Sequence, residues 1–275
     1  MTDVASQVSQ GADAAANSRP MGWLARLGLT ARGVVYLVMG WLAILLATGD
    51  HHPVDQRGVI TTLISQPFGT VLVIVLAVGL AAYAVWRLVE AVAGPSGERD
   101  TWGARLKSLV RAIAYGVLAF TAVSVLHGAR QTQAGQQGRI AAHVMSQPGG
   151  RWLVGGAGVA VVAVGVSMVI EGWSKKFLRY FGYLPPRARG AVVLLGRVGT
   201  IARGLVFAVT GGLVVQAALD TNPAKAGGID TATRTLLDQP YGTWLVLALG
   251  AGLMLFGVYA LAEARWRRVS DEDVR

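Results

Sequence analysis

The chain has no cysteine. Disulfides, thiolate nucleophiles and cysteine-held metals are therefore excluded. Charge is also scarce: Asp, Glu, Lys and Arg make up 15% of the 275 residues, against about 25% in soluble domains. The sequence contains no Gly-rich phosphate loop, no His-Glu zinc pattern and no credible nucleophile–base pair. No carboxylate falls in the middle of a long apolar run, which argues against a proton-coupled transporter. The four histidines are His51, His52, His127 and His143. Haem or metal binding needs paired ligands at matching depth, and only His127 meeting His143 or His51 could supply them. No catalytic residue, cofactor or metal is expected.

What is abundant is apolar. Hydrophobic residues reach 53% and mean hydropathy is +0.49, so the first reading is a membrane protein whose immediate partner is the lipid bilayer. A net charge of +10 could point to nucleic acid, but that needs basic residues gathered on a folded soluble surface. Here they sit in short connectors between apolar runs, and no nucleic-acid partner is expected.

One unit occurs three times. Its first copy carries Arg26, Arg32, Tyr36, Gln66-Pro67-Phe68-Gly69 and Glu90. The second carries Arg105, Arg111, Tyr115, Gln147-Pro148-Gly149-Gly150 and Glu171; the third carries Arg197, Arg203, Phe207, Gln239-Pro240-Tyr241-Gly242 and Glu263. The two arginines are always 6 residues apart, and glutamine precedes glutamate by 24. A fixed period of this kind marks one supersecondary unit used repeatedly.

Six uncharged runs follow one another: Gly33–Gly49, Phe68–Trp86, Ala112–Ala129, Trp152–Ile170, Gly204–Leu219 and Tyr241–Ala262. Each has or approaches the length of about 17 to 25 residues that a bilayer crossing needs. Trp23, Leu24, Leu27 and Leu29 form a short amphipathic approach to the first. The expected organisation is a disordered cytoplasmic tail over 1–21, two-span repeats over 22–94, 99–173 and 191–268, and a second cytoplasmic tail over 269–275. Of the 25 Lys and Arg residues, 19 lie on the side of the tails and even connectors. The positive-inside tendency then places both termini in the cytoplasm of a bacterial plasma-membrane protein. Repeats of two spans insert with the same orientation, so their symmetry axis would run along the membrane normal. The expected fold is an all-α integral membrane protein with six transmembrane helices as three tandem two-helix repeats, pseudo-threefold about that normal.

Each outer connector ends in an amphipathic stretch, such as Val59, Ile60, Leu63 and Ile64 with Thr61, Thr62 and Ser65 opposite. Short helices on the outer surface are expected there. The Gln-Pro-x-Gly elements (Gln66, Pro67, Gly69; Gln147, Pro148, Gly150; Gln239, Pro240, Gly242) should be corners, with proline ending one helix and suiting the first turn of the next. Thr121, Ser124, Ser167, Thr210 and Gln216, the main polar residues within spans, are expected to bond between helices.

The recurring charges are the candidate site. Arg32, Arg111 and Arg203 open the odd spans, and Glu90, Glu171 and Glu263 close the even ones at similar depth. Charges so placed need partners or water. They are expected to tie helices together as Arg–Glu pairs; the plainer alternative is snorkelling, with Arg87 or Arg267 satisfying the neighbouring glutamate.

The stretches Ala31-Arg32-Gly33-Val34-Val35-Tyr36 and Ala202-Arg203-Gly204-Leu205-Val206-Phe207, the corners and the trailing glutamates resemble the bacterial domain of unknown function 1206. The resemblance covers about residues 22 to 268 and implies three tandem two-span units. The middle copy departs most, with Arg111-Ala112 for Arg-Gly and Gly149 where Phe68 and Tyr241 stand. The family brings no activity with it. The leading expectation is a non-enzymatic scaffold or accessory subunit of a larger membrane complex. The alternatives are a small-solute or ion transporter or pore along the repeat axis, and a haem-binding redox protein.

Overall fold

The computed structural model describes residues 19–49, 53–93, 102–127, 133–182 and 184–267. Most of the two expected tails, together with His51 and His52, lies outside the described residues. Among the described residues six helices are long and apolar enough to cross a membrane. These are α1 (Arg19–Ala47), α3 (Gly69–Ala93), α4 (Trp102–Leu126), α6 (Gly150–Trp173), α7 (Pro186–Leu219) and α9 (Gly242–Trp266). Three shorter helices precede the even spans: α2 (Gln56–Ile64), α5 (Gln133–Met145) and α8 (Gly228–Leu237). The amphipathic approach around Trp23 is part of α1 itself. The Gly204 run, short by hydropathy, belongs to a helix of 34 residues. Arg187, Arg189, Arg197 and Arg203 interrupt the apolar run there without interrupting helical geometry.

The largest interfaces join the second span of one repeat to the first span of another: α3 with α4, α6 with α7, and α9 with α1. Within repeats α1 packs on α3 and α7 on α9, but among the described residues no comparable interface joins α4 to α6. The spans therefore pack in the order α6, α7, α9, α1, α3, α4. This falls short of the pseudo-threefold bundle expected from the repeats.

Small residues explain both the close contacts and the missing one. In the antiparallel α1–α9 pair, Gly33 and Gly40 face Gly257 and Gly250; a β-carbon on Gly33 would lie 3.0 Å from the Gly257 carbonyl oxygen. In α6–α7, Gly158 and Gly165 face Gly211 and Gly204, at 2.9 and 2.6 Å from their carbonyl oxygens by the same measure. The corresponding positions of α3 and α4 hold Ala77, Ala84, Ala112 and Ala119. Glycine and alanine let helix backbones approach where lipid supplies no hydrophobic drive.

Within the first repeat Gly28 abuts Tyr83 and Gly79 abuts Ala31; within the third, Gly199 abuts Phe256 and Gly252 abuts Ala202. The second repeat carries Lys107, Val164, Ala160 and Val110 at the positions of Gly28, Tyr83, Gly79 and Ala31. Lys107 and Val110 are too large for that approach. Val110 is 59% exposed, while Tyr83 is 0% and Phe256 3% exposed.

Each corner is a turn in which the glycine N–H donates to the glutamine carbonyl, at 2.8, 2.9 and 2.8 Å for Gly69, Gly150 and Gly242. Proline occupies the second turn position, and the third is left-handed: φ is 62° at Phe68, 76° at Gly149 and 63° at Tyr241. That pattern is the type II turn, which favours proline before a positive φ. The next span begins at the glycine, so proline lies in the turn and not in the helix's first turn as expected. The left-handed residue between them is what separates the two. The middle copy's Gly149 occupies the one corner position where glycine is conformationally preferred.

Candidate functional site

The recurring charges gather at one end of the bundle, beside the N-terminal half of α1 and the C-terminal ends of α3 and α9. The uncharged run after Arg32 covers about 25 Å at 1.5 Å per residue, so Arg32 sits just inside one edge of an apolar core about 30 Å thick. Burying a charge at this depth is costly unless it is paired.

Arg32 of α1 donates to Glu263 of α9, and Arg267 donates to the other oxygen of the same carboxylate. Glu90 is met locally by Arg87, 2.5 Å away, and more distantly by the Ser108 hydroxyl of α4 at 3.4 Å. The Arg87 guanidinium also donates to the Tyr83 hydroxyl at 2.8 and 3.0 Å. One of the six expected charges thus makes an inter-repeat tie with another, and two arginines outside that set complete the pairing.

The remaining three do not pair. Arg111, Arg203 and Glu171 are in no ion pair within 4.0 Å among the described residues, yet all three line one cavity of ≈ 80 Å³. Arg203 lies over Tyr36, Phe207 and Phe256, 5.0, 5.4 and 5.0 Å from the ring centres. Its Nε is buried without a hydrogen-bond partner. Five arginines border the cavity, Arg32, Arg87, Arg111, Arg203 and Arg267, against Glu171 and Glu263; Glu90 stands behind Arg87. Positive charge is in excess by two over the whole cluster.

Beyond this ring the interior is aromatic and then aliphatic. Tyr36 packs edge-on to Phe256 at 4.7 Å and Tyr83 to Tyr115 at 4.4 Å. Met39, Leu42, Leu46, Leu80, Val246 and Leu253 are buried farther along. An apolar cleft of ≈ 520 Å³ opens on α5, α6 and α7, lined by Val144, Ala157, Val161, Phe207 and Val214 among others.

The polar residues within the spans do not bond between helices as expected. Thr121, Ser124 and Ser167 donate to carbonyls three or four residues back on their own helices. A short hydroxyl reaches its own helix more readily than a neighbour. The Thr210 hydroxyl is buried with no partner among the described residues, and Gln216 is exposed. His127 Nδ1 lies 2.9 Å from the Val123 carbonyl of its own helix, and His143 is exposed on α5. No group of three or more metal-ligating His, Asp or Glu side chains occurs among the described residues.

At the opposite end, Asp55 caps α2 by accepting from the Gly58 N–H at 2.7 Å. Asp230 of α8 accepts from the Val54 N–H at 2.9 Å and pairs with Arg234 at 3.0 Å. Burial pushes the Asp55 carboxyl above its ordinary value, with the Gly58 N–H opposing. These bonds pin the connectors of the first and third repeats together.

Tyr83 and Tyr259 were not singled out by sequence reasoning, whereas Tyr115 was named as a repeat landmark and not as a neighbour of the charges. Tyr83 stands four residues before Arg87, and Tyr259 four before Glu263, so helical spacing could have placed both beside the charges. The paired seam glycines, seven residues apart on each helix, were equally readable.

Six long apolar helices arranged as tandem two-helix units, with their charges gathered at one end, define an all-helical multi-pass membrane protein. The family model described as Domain of Unknown Function (DUF1206) matches three times, over residues 27–94, 106–175 and 198–267, and the chain belongs to that family. Uncharacterized protein YxxB of Bacillus subtilis (strain 168) is 27% identical over 252 residues, covering 90% of this chain and 91% of that protein. No solved structure matches.

Proposed function

We propose that the protein is a non-enzymatic, non-conducting scaffold or accessory subunit of a larger complex in the bacterial plasma membrane, with both termini cytoplasmic. The observation that carries this reading is the filled interior. Tyr36, Tyr83, Tyr115, Phe256 and Tyr259 are buried together from four of the six spans, and aliphatic side chains continue the seal. Polar lining stops at the aromatic layer, and a conducting path needs polar or wet lining along its whole length. The placement of 19 of 25 basic residues at the arginine end and its connectors supports the orientation.

Two measurements on the full chain test this. Liposomes containing the purified protein should retain chloride, potassium and small neutral solutes as well as empty liposomes do. Purification from the native membrane in mild detergent should yield a membrane protein in constant ratio. Specific solute release, or a haem absorbance band in the purified material, would overturn the reading.

A further inference from the structure

We infer that an anionic phospholipid occupies the slot between α4 and α6, its phosphate beside Arg111 and Arg203 and an acyl chain in the apolar cleft on α6 and α7. This goes beyond the accessory role and does not depend on it. The charges supply the first reason. Two guanidinium groups, Arg111 and Arg203, line the ≈ 80 Å³ cavity with no ion pair among the described residues, the Arg203 Nε is buried without an acceptor among them, and Glu171 offsets only one positive charge there. An unpaired charge at this depth demands a counter-ion. Guanidinium forks match phosphate oxygens in geometry as well as in sign. At about 15 Å³ per water, the cavity has room for a group the size of several waters, which suits a phosphate.

The packing supplies the second. The slot exists because Lys107 and Val110 replace the glycine and alanine that let the other two repeats close, and Val110 and Val164 are 59% and 45% exposed. Arg111 reaches the cavity from α4, and Met168 and Glu171 reach it from α6. Those two helices border the cavity without packing on each other, which leaves a lateral way in from the bilayer.

Continuity supplies the third. Phe207 covers Arg203 and also lines the apolar cleft. From Arg203 to Val214, at the cleft's far part, α7 rises about 16 Å. That is close to half of an apolar core about 30 Å thick, the length available to one acyl chain. A basic pocket leading into an apolar cleft of that length fits an amphiphile better than a free anion.

The test is native mass spectrometry of the full chain, stripped of lipid and then offered phosphatidylglycerol, phosphatidylcholine or inorganic phosphate. One phosphatidylglycerol should bind at least tenfold more tightly than phosphatidylcholine. Arg111→Gln with Arg203→Gln should lose at least tenfold of that affinity. Ala157→Trp is at an exposed cleft position, so the chain should fold; it should weaken phosphatidylglycerol binding tenfold and leave the arginine pocket intact. Should the double variant fail to fold, Ala157→Trp and the lipid comparison decide alone. Equal binding of the two lipids, displacement of phosphatidylglycerol by millimolar phosphate, no effect of Ala157→Trp, or a lipid-free dimer would each overturn the proposal.

Discussion

Arg32 and Glu263 stand 231 residues apart in the chain and form a buried ion pair across the α1–α9 seam, with Arg267 on the other carboxylate oxygen. One carboxylate thus neutralises part of two guanidinium groups and ties the first repeat to the third. Among the described residues neither arginine has a second carboxylate within 4.0 Å.

Glu263→Gln should therefore cost about 3 to 5 kcal/mol, because it strands two buried cations. Thermal unfolding in phospholipid-free detergent gives the measurement. Arg32→Met combined with Glu263→Leu should recover only part of that loss, because Arg267 stays buried without its carboxylate; adding Arg267→Met should recover much of the rest. Arg203 and Glu263, by contrast, should couple by less than about 0.5 kcal/mol in a double-mutant cycle. Strong coupling there would contradict the pairing described above.

The missing α4–α6 interface makes a second prediction, and the absence of native cysteine gives it a clean background. Ala31→Cys with Gly79→Cys should cross-link under mild oxidation, because a β-carbon on Gly79 would lie 2.7 Å from that of Ala31 and a small separation of α1 from α3 brings the two to bonding distance. Val110→Cys with Ala160→Cys, the corresponding pair in the second repeat, should not, since disulfides need Cβ atoms about 3.5 to 4.5 Å apart. Equally fast cross-linking in the two pairs, read by peptide mapping, would show that the slot closes.

Much of this was legible because membrane folds write their constraints in hydropathy. The spans, the surface helices and the corners follow from apolar length, amphipathic spacing and proline. The α7 boundary was hidden because Arg187, Arg189 and Arg197 cost nothing to a helix that extends past the apolar core. The pairing of charges was not legible: Arg32, Arg111 and Arg203 recur alike, but their partners depend on which helices touch. The slot was half visible. Arg111-Ala112 already marked the middle copy as different, yet Lys107 and Val110 acquire meaning only once Gly28 and Ala31 are seen against α3.

Orientation can be read by labelling. Cysteines placed singly at Thr61, Gln136 and Ala224, all exposed at the short-helix end, should react with an impermeant thiol reagent added to intact cells. A cysteine at exposed Ser174, at the arginine end, should react only after the membrane is opened. Labelling of Ser174 in intact cells would reverse the orientation and place the basic end outside.

The corners separate conformational from steric demands within three residues. Phe68 has φ of 62°, and a non-glycine residue held in the left-handed region costs about 1 to 2 kcal/mol. Its ring is 84% exposed, so little packing is lost on removal. Phe68→Gly should therefore raise stability, by less than the full strain because glycine loses about 0.5 to 1 kcal/mol more entropy on folding. Gly69 is the opposite case: its space is closed by the carbonyl groups of Leu63 and Ile64. Gly69→Ala must push α2 away from α3 and should cost about 1 to 3 kcal/mol, the usual range for overpacking. Pro67→Ala keeps the turn's hydrogen bond and only frees the unfolded chain, at about 0.4 to 1 kcal/mol. The expected order of melting temperatures in detergent is Phe68→Gly, wild type, Pro67→Ala, Gly69→Ala, from highest to lowest. A Pro67→Ala protein that melts like wild type but no longer retains its membrane partner would make the corner a recognition site, and the structural account of it would fail.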